Sequence, residues 1–425
     1  MSNLLPFKLP DYMRLEKAGE PSKAEPKVKG AVVSSITPCD LSRPGTEYRA
    51  DRALAMAELA NLAYDPKEKI EEKLQKSGYT LQSYHSVKGA QGVIINSVDT
   101  QAFIATKGDV VVLSFKGTEG FTDAMTDIAA LFRRTFHINN RVSQVHRGFS
   151  NALGALSGQA FDSKGKPLPV TKRLGVDSIE ENAELPLHEE VKRLMDGPPR
   201  RKLYITGHSL GAGVGTIEAM SLVRDGFIPE AVYTIGSPRV GDPAFQEEYD
   251  RALGSRTFRH INSSDAVTRV PFDENYLDTR WLEFDWGRPE SVSKKYLGID
   301  WPKLAEKIDL DLPAGTYGPA QYRHVGTEKY IDAKGTILDP PPGLGGEIWA
   351  WFKDAITFSG KTFDNHKSGN YIKALKRLAD EQAKLDAAQR EREANSFETL
   401  SRVPPPANSI FAPAADSFEA LSKPR

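Results

Sequence analysis

Cysteine is almost missing from this chain, with one, Cys39, in 425 residues. No intramolecular disulfide can form, which fits a reducing compartment or indifference to redox state. A chain of this length has material for a large core and needs no disulfide or metal staple. An excess of charge is missing too. Lys and Arg number 56 against 57 Asp and Glu, a net charge of −1. A nucleic-acid binder normally shows a basic excess or stripe, so that class is excluded. Long apolar runs are also lacking, and no window approaches the ~18 residues of a membrane span. The N-terminal MSNLLPFKLPDYMRLEKAGEP is broken by proline and charge and holds no apolar stretch of signal-peptide length. The expectation is a soluble protein without a transmembrane segment, cytoplasmic or exported by a route that uses no signal peptide.

What the chain does have is an alternation of strand and helix patterns. DVVVLSF (109–115), KLYITG (202–207), AVYTIGS (231–237) and TFRHINS (257–263) are short, apolar and rich in β-branched residues, as buried strands are. Between them VHRGFSNALGAL and GAGVGTIEAMSLVRDG have helical spacing, as has YRADRALAMAELANLAYDP from Tyr48 onward. Such alternation predicts an α/β fold with a mostly parallel sheet covered by helices on both faces. Residues 1–45 are expected to be a loosely held arm and 46–375 the main domain, interrupted by insertions at about 157–186 and 273–320. Residues 376–425 combine helix-forming composition with a proline- and alanine-rich tail in which SFETLS (396–401) recurs as SFEALS (417–422). No metal or organic cofactor is implied. The acidic group Asp273, Glu274 and Asp278 is read as a solvated loop face rather than a calcium site.

Gly207-His208-Ser209-Leu210-Gly211 matches G-x-S-x-G, and its context gives it weight. An apolar strand runs into the first glycine and a small-residue helix leaves the last, which is what a nucleophile elbow needs. The turn brings the flanking positions together, so Gly207 and Gly211 must be tiny. A serine hydroxyl attacks only when a base removes its proton. An acid to orient the base is expected just past a strand, where Asp265 follows TFRHINS. With the order Ser, Asp, His, the base is His324 or His366.

Seven ordered segments carry a more specific likeness: FKGT (115–118), VHRGF (145–149), TGHSLGAG (206–213), TIGSPRVGD (234–242), INSSDAVTRVP (261–271), YRHVGTEKYI (322–331) and DNHKSGNYI (364–372). In these the chain resembles the class 3 lipases, the fungal triacylglycerol lipases and their bacterial and plant relatives. The resemblance implies an α/β-hydrolase fold with Ser209 as nucleophile, Asp265 as orienting acid and His366 as base, and it makes His324 a bystander. It implies that His208 supports the elbow and that the N–H groups of Thr118 and Leu210 form the oxyanion hole. Lys116 stands where the family more often has Arg.

The run EGFTDAMTDIAALFRRTF (119–136) places Phe121, Met125, Ile128 and Phe132 on one helical face. By the same resemblance this is a lid over the serine that opens at a lipid–water interface. The substrate so implied is a lipid or other carboxylic ester, and the leading activity is that of a triacylglycerol lipase or carboxylesterase. One alternative is a phospholipase A1, including one exported as a bacterial effector. The other is an interaction protein on a hydrolase scaffold, whose C-terminal tail binds a protein partner.

Overall fold

β-Branched, apolar runs form the centre of one sheet, because strands buried on both faces have no polar side to show. The computed structural model describes residues 34–41, 43–90, 98–118, 133–138, 141–157, 186–198, 200–263, 265, 267–269, 322–332, 334–338 and 365–401. Within them the strands are β1 (Thr80–Ala90), β2 (Val98–Lys107), β3 (Val110–Phe115), β4 (Arg133–Ile138), β5 (Arg141–His146), β6 (Lys202–His208), β7 (Ala231–Ile235), β8 (Thr257–Asn262), β9 (Thr327–Ile331) and β10 (Ile337–Leu338). The helices are α1 (Ala50–Leu62), α2 (Lys67–Lys76), α3 (Arg147–Leu156), α4 (Leu187–Met195), α5 (Leu210–Arg224), α6 (Pro243–Leu253) and α7 (Ser368–Ser401). The main sheet runs β1-β2-β3-β6-β7-β8-β9-β10, and β4 pairs with β5 separately. β3, β6, β7, β8 and β9 are mutually parallel, while β1, β2 and β10 add antiparallel edges. This is the α/β-hydrolase arrangement.

Alternation along each strand divides the core in two. Val111, Leu113, Phe115, Leu203, Ile205 and Val232 face α3, α4, α5 and α6. Their neighbours Val110, Val112, Tyr204, Tyr233 and Ile235 face α1, α2 and the start of α7. Each fully buried side chain of this kind contributes about 1.5–3 kcal/mol. Both faces are therefore covered, and the ends of the central strands are left as the place where loops converge. Among the described residues, no helix is long and apolar enough to cross a membrane.

Three expectations need correction. From Ile36 onward the supposed arm is tied down. The buried Arg52 guanidinium needs acceptors away from water, and it donates to the carbonyls of Asp40 at 2.9 Å, Arg43 at 3.2 Å and Pro44 at 3.2 Å. The boundary drawn at residue 376 falls inside α7, whose Tyr371, Leu375 and Ala379 are buried in the α1 face of the core. Gln382 Oε1 accepts from Ala50 N–H at 2.8 Å, and Asp386 pairs with Arg49 at 2.9 Å. Finally, the run 119–136 does not end as a helix. Its last residues enter β4, where Phe136 is buried edge-on against Phe245 at 5.7 Å. Phe121, Met125, Ile128 and Phe132, all but the ends of the insertion expected at 157–186, the whole of that expected at 273–320 and the tail beyond Ser401 lie outside the described residues.

The helix that follows Ser209 is clamped to α4 by a charged group. His188 on α4 lies 2.8 Å from Glu218 Oε1 on α5 and 3.0 Å from Asp225 Oδ2 just past that helix. Burial raises the Glu218 carboxyl, and the protonated His188 beside it lowers it again; against two ionised carboxylates both ring nitrogens donate and the imidazole is protonated. Burial works against that charge, but the Glu218 and Asp225 carboxylates outweigh it and hold the imidazole up at about 9. A base with a raised folded-state pKa contributes its full stabilisation below its ordinary value, and loses it as pH rises through the raised value. The melting temperature of the native chain should therefore exceed that of His188→Gln by a constant margin below pH 6.5. That margin should shrink between there and about 9. Thermal melts across this range check the prediction, and a margin that ignores pH would contradict it.

Candidate active site

Ser209 joins β6 to α5 with φ 58° and ψ −129°. A non-glycine residue there is strained and persists only because its surroundings over-determine it. Two close approaches make the turn possible. A Cβ on Gly207 would come within 2.4 Å of Gly211 O, and one on Gly211 within 2.5 Å of Phe115 O and Lys116 O. Both glycines are thus required by backbone packing, as the motif implied. Ser209 N–H donates to Ile235 O at 2.9 Å, which ties the elbow to β7.

Asp265 follows the end of β8 and is fully buried. Its carboxylate accepts from His366 Nδ1 at 2.9 and 3.1 Å, from the Tyr371 hydroxyl at 2.6 Å and from Val267 N–H at 2.9 Å. Burial, then the charge of Asp265, holds the Tyr371 phenol well above its ordinary pKa, so it stays a donor. Asn262 N–H returns a bond to the Tyr371 oxygen at 2.9 Å. With Nδ1–H given to Asp265, the Nε2 of His366 carries the lone pair.

The elbow and the acid–imidazole pair occupy one place. Gly236 comes directly after Ile235, whose carbonyl receives the Ser209 N–H. A Cβ on Gly236 would lie 3.0 Å from Asp265 Oδ2 and 3.1 Å from His366 Nδ1. His208, adjacent to the serine, stacks on His366 with ring centroids 4.7 Å apart. His324, the other candidate base, is elsewhere. Its Nε2 donates to Thr268 O at 2.8 Å, and burial, then Arg259 and Arg239, keeps it neutral. His146 and His260 are both buried in the interior.

Thr118 closes the loop after β3. A Cβ on Gly117 would lie 3.0 Å from Ser209 Cβ and 2.6 Å from His208 O, so this loop abuts the elbow. Among the described residues, the buried hydroxyls Thr118 Oγ1 and Ser209 Oγ make no hydrogen bond. Buried polar atoms are rarely left so, and these two flank the loop that abuts the elbow. Leu210 opens α5, where the first N–H groups have no acceptor within the helix and the helix dipole favours negative charge. Together these groups can activate a hydroxyl and receive a developing oxyanion. Among the described residues, no group of His, Cys, Asp or Glu is placed to hold a metal ion.

Residues 112–275 match the family described as Lipase (class 3). Over that segment the chain is similar to the class 3 lipases. The matched segment contains Thr118, Ser209 and Asp265, and it stops short of His366. Over 96 residues the chain is 40% identical to phospholipase A1-II 1 of Oryza sativa subsp. indica, covering 21% of this chain and 24% of that protein. Over 197 residues it is 27% identical to triacylglycerol lipase OBL1 of Arabidopsis thaliana, covering 42% of this chain and 38% of that protein. The chain thus spans well under half the length of either relative. The structure of lipase II from Rhizopus niveus is 20% identical, with a TM-score of 0.37 over 52% of this chain and 74% of that one.

Three contributors have no role in the sequence reading, although Asn262 and Tyr371 lie inside two of the segments that carry the likeness. Tyr371 stands five residues after His366 and Asn262 ends β8, where its side chain donates to Asn365 O at 3.0 Å. Tyr64 follows α1, and its hydroxyl lies 2.8 Å from His208 Nδ1. Only the H-x-x-x-x-Y spacing could have suggested Tyr371. Tyr371→Phe removes a donor from a buried carboxylate and an acceptor from Asn262 N–H. A stability loss of ~1–3 kcal/mol is expected. It should appear in urea titration as a lower midpoint at unchanged slope.

Proposed function

We propose that the chain is a serine hydrolase that cleaves carboxylic esters of lipids through an acyl-enzyme on Ser209. The observation that carries this reading is the hydrogen-bonded Asp265–His366 pair lying beside a strained, buried serine. In the proposed reaction His366 Nε2 takes the Ser209 proton as Oγ bonds to the ester carbonyl carbon. Asp265 holds the imidazole in its Nδ1–H tautomer and stabilises the imidazolium that forms. The carbonyl oxygen becomes an oxyanion and is met by the N–H groups of Thr118 and Leu210. Preorganised donors of this kind are usually the largest single contribution to such a rate. The tetrahedral adduct collapses, His366 returns its proton to the leaving alcohol, and Ser209 keeps the acyl group. Water, deprotonated by the same imidazole, then releases the carboxylic acid and restores the hydroxyl.

The reading of a lipid substrate is supported by the matched family and by what its relatives are called. A triacylglycerol lipase or esterase is the first reading, and a phospholipase A1 is the second, favoured by the likeness to the rice enzyme. A fluorophosphonate should label the native chain at Ser209, because only an activated serine reacts readily. Ser209→Ala should lose labelling and nearly all para-nitrophenyl ester turnover. Only a residual ~10³–10⁴-fold advantage over water should remain, from binding and the oxyanion donors. An unlabelled native chain would sink the hydrolase reading and favour a binding role for the scaffold.

Substrate class is separable by fatty-acid release from triacylglycerol emulsions and from phosphatidylcholine vesicles at matched ester concentration. Release from the emulsion alone supports the lipase reading. Release from vesicles, with the acyl group coming from the first glycerol position, supports phospholipase A1.

A further inference from the structure

We infer that Tyr64 and His208 are a positioning pair for His366, with the His208 ring fixing the backbone from which the proposed base extends. The inference rests on the roles given above to Ser209 and His366. His208 Nε2 lies 2.7 Å from the backbone oxygen of His366. A carbonyl oxygen can only accept, so Nε2 must carry the hydrogen. Burial, with His366 close by, pushes the His208 imidazole down to about 3, so the ring is neutral and Nδ1 is a bare acceptor. That acceptor faces the Tyr64 hydroxyl at 2.8 Å. The chain of donors therefore runs one way, from Tyr64 O–H to His208 Nδ1, and from His208 Nε2–H to His366 O.

The ring lies where two functional backbones meet. His208 is covalently next to Ser209, and its side chain holds the main chain of His366. It stacks on the His366 imidazole at 4.7 Å with planes 30° apart. Tyr371 meets the ring edge-on at 6.4 Å, and Asp265 is the nearby carboxylate. A neutral ring suits this position, because it faces the imidazole that becomes cationic during turnover. Tyr64 ties in a third piece. Its N–H bonds Asn61 O at the end of α1, and a Cβ on Gly117 would come within 2.2 Å of its hydroxyl. One tyrosine hydroxyl thus touches the loop of Thr118 and the ring behind Ser209.

Tyr64→Phe keeps the aromatic packing and removes the one donor to Nδ1. A buried acceptor without a donor loosens the ring, and the His366 backbone loses its anchor. A small misplacement of the base lowers kcat without touching ester binding. For para-nitrophenyl butyrate the full-length variant should lose about ten- to a hundredfold in kcat. KM should stay within about threefold, because nothing that positions the substrate has been removed. His208→Gln keeps an N–H for His366 O and an oxygen for Tyr64, so it should recover part of the turnover that His208→Ala loses. ¹⁵N-histidine spectra supply a readout independent of turnover. In the native chain Nε2 of His208 should be protonated and Nδ1 bare. In Tyr64→Phe the His208 Nδ1 and His366 ring signals should both move. Native kcat together with unmoved His366 signals would overturn the inference. If the native chain neither hydrolyses esters nor labels at Ser209, the hydrolase reading fails separately. The spectra then decide the coupling alone, with moved His366 signals supporting it and unmoved ones overturning it.

Discussion

A carboxylate taken out of water must have its lone pairs met by donors, and at Asp265 every neighbouring element is recruited to do so. β8 ends in the loop that places the side chain. The 3-10 turn after it supplies Val267 N–H, the segment just ahead of α7 supplies His366, and α7 itself supplies Tyr371. Removing one partner of such a buried group costs several kcal/mol, because what remains is an uncompensated charge. That penalty explains why the terminal helix cannot be a loose appendage. Its first turns are held against α1 and β8 by the same bonds that orient the imidazole. The Ser368 hydroxyl bonds Asn61 at 2.7 Å, and Asn262 holds Asn365.

Backbone strain forms the other half of the design. The positive φ of Ser209 is maintained by glycine contacts on both sides and by the bond to Ile235. These contacts leave the elbow no room to relax, so Oγ is presented at a fixed place on the sheet. Strain and satisfied charge therefore answer the same requirement from opposite directions. One holds Ser209 where it would not otherwise sit, and the other holds the His366 imidazole against a carboxylate that would not otherwise be buried.

The legibility of the sequence followed the range of the forces involved. Parallel strands β3, β6, β7 and β8 announce themselves, because burial on both faces demands continuous apolar runs. β1 and β2 do not. TLQSYHSVKGA mixes polar and apolar residues without clean alternation, and its pairing with β2 is interrupted by register shifts. The elbow was legible because its glycines and serine are contiguous, and strain of this kind is a local property. Asp265 and His366 are 101 residues apart, and only their order in the motif series could join them. Tyr64 lies 144 residues from His208 and in no motif at all. A hydrogen bond between such positions is created by the fold, so no local reading of the chain could contain it.

This separation bears on how the two halves of the site are inherited along the chain. The segment matched by the family ends before α7, and yet the proposed base, His366, stands just ahead of that helix. Ser209, Asp265 and the loop of Thr118 hang on the central parallel strands. The imidazole hangs on a helix that crosses back to pack on α1. Nothing in the sheet compels α7 to be there, so its attachment must come from side chains. Asn61, Asn262, His208 and Asp265 each hold part of it, together with the apolar contacts of Tyr371, Leu375 and Ala379. The site is assembled where a rigid sheet edge meets a helix docked by polar bonds. Precision in placing the His366 imidazole is accordingly a matter of how completely those bonds are made.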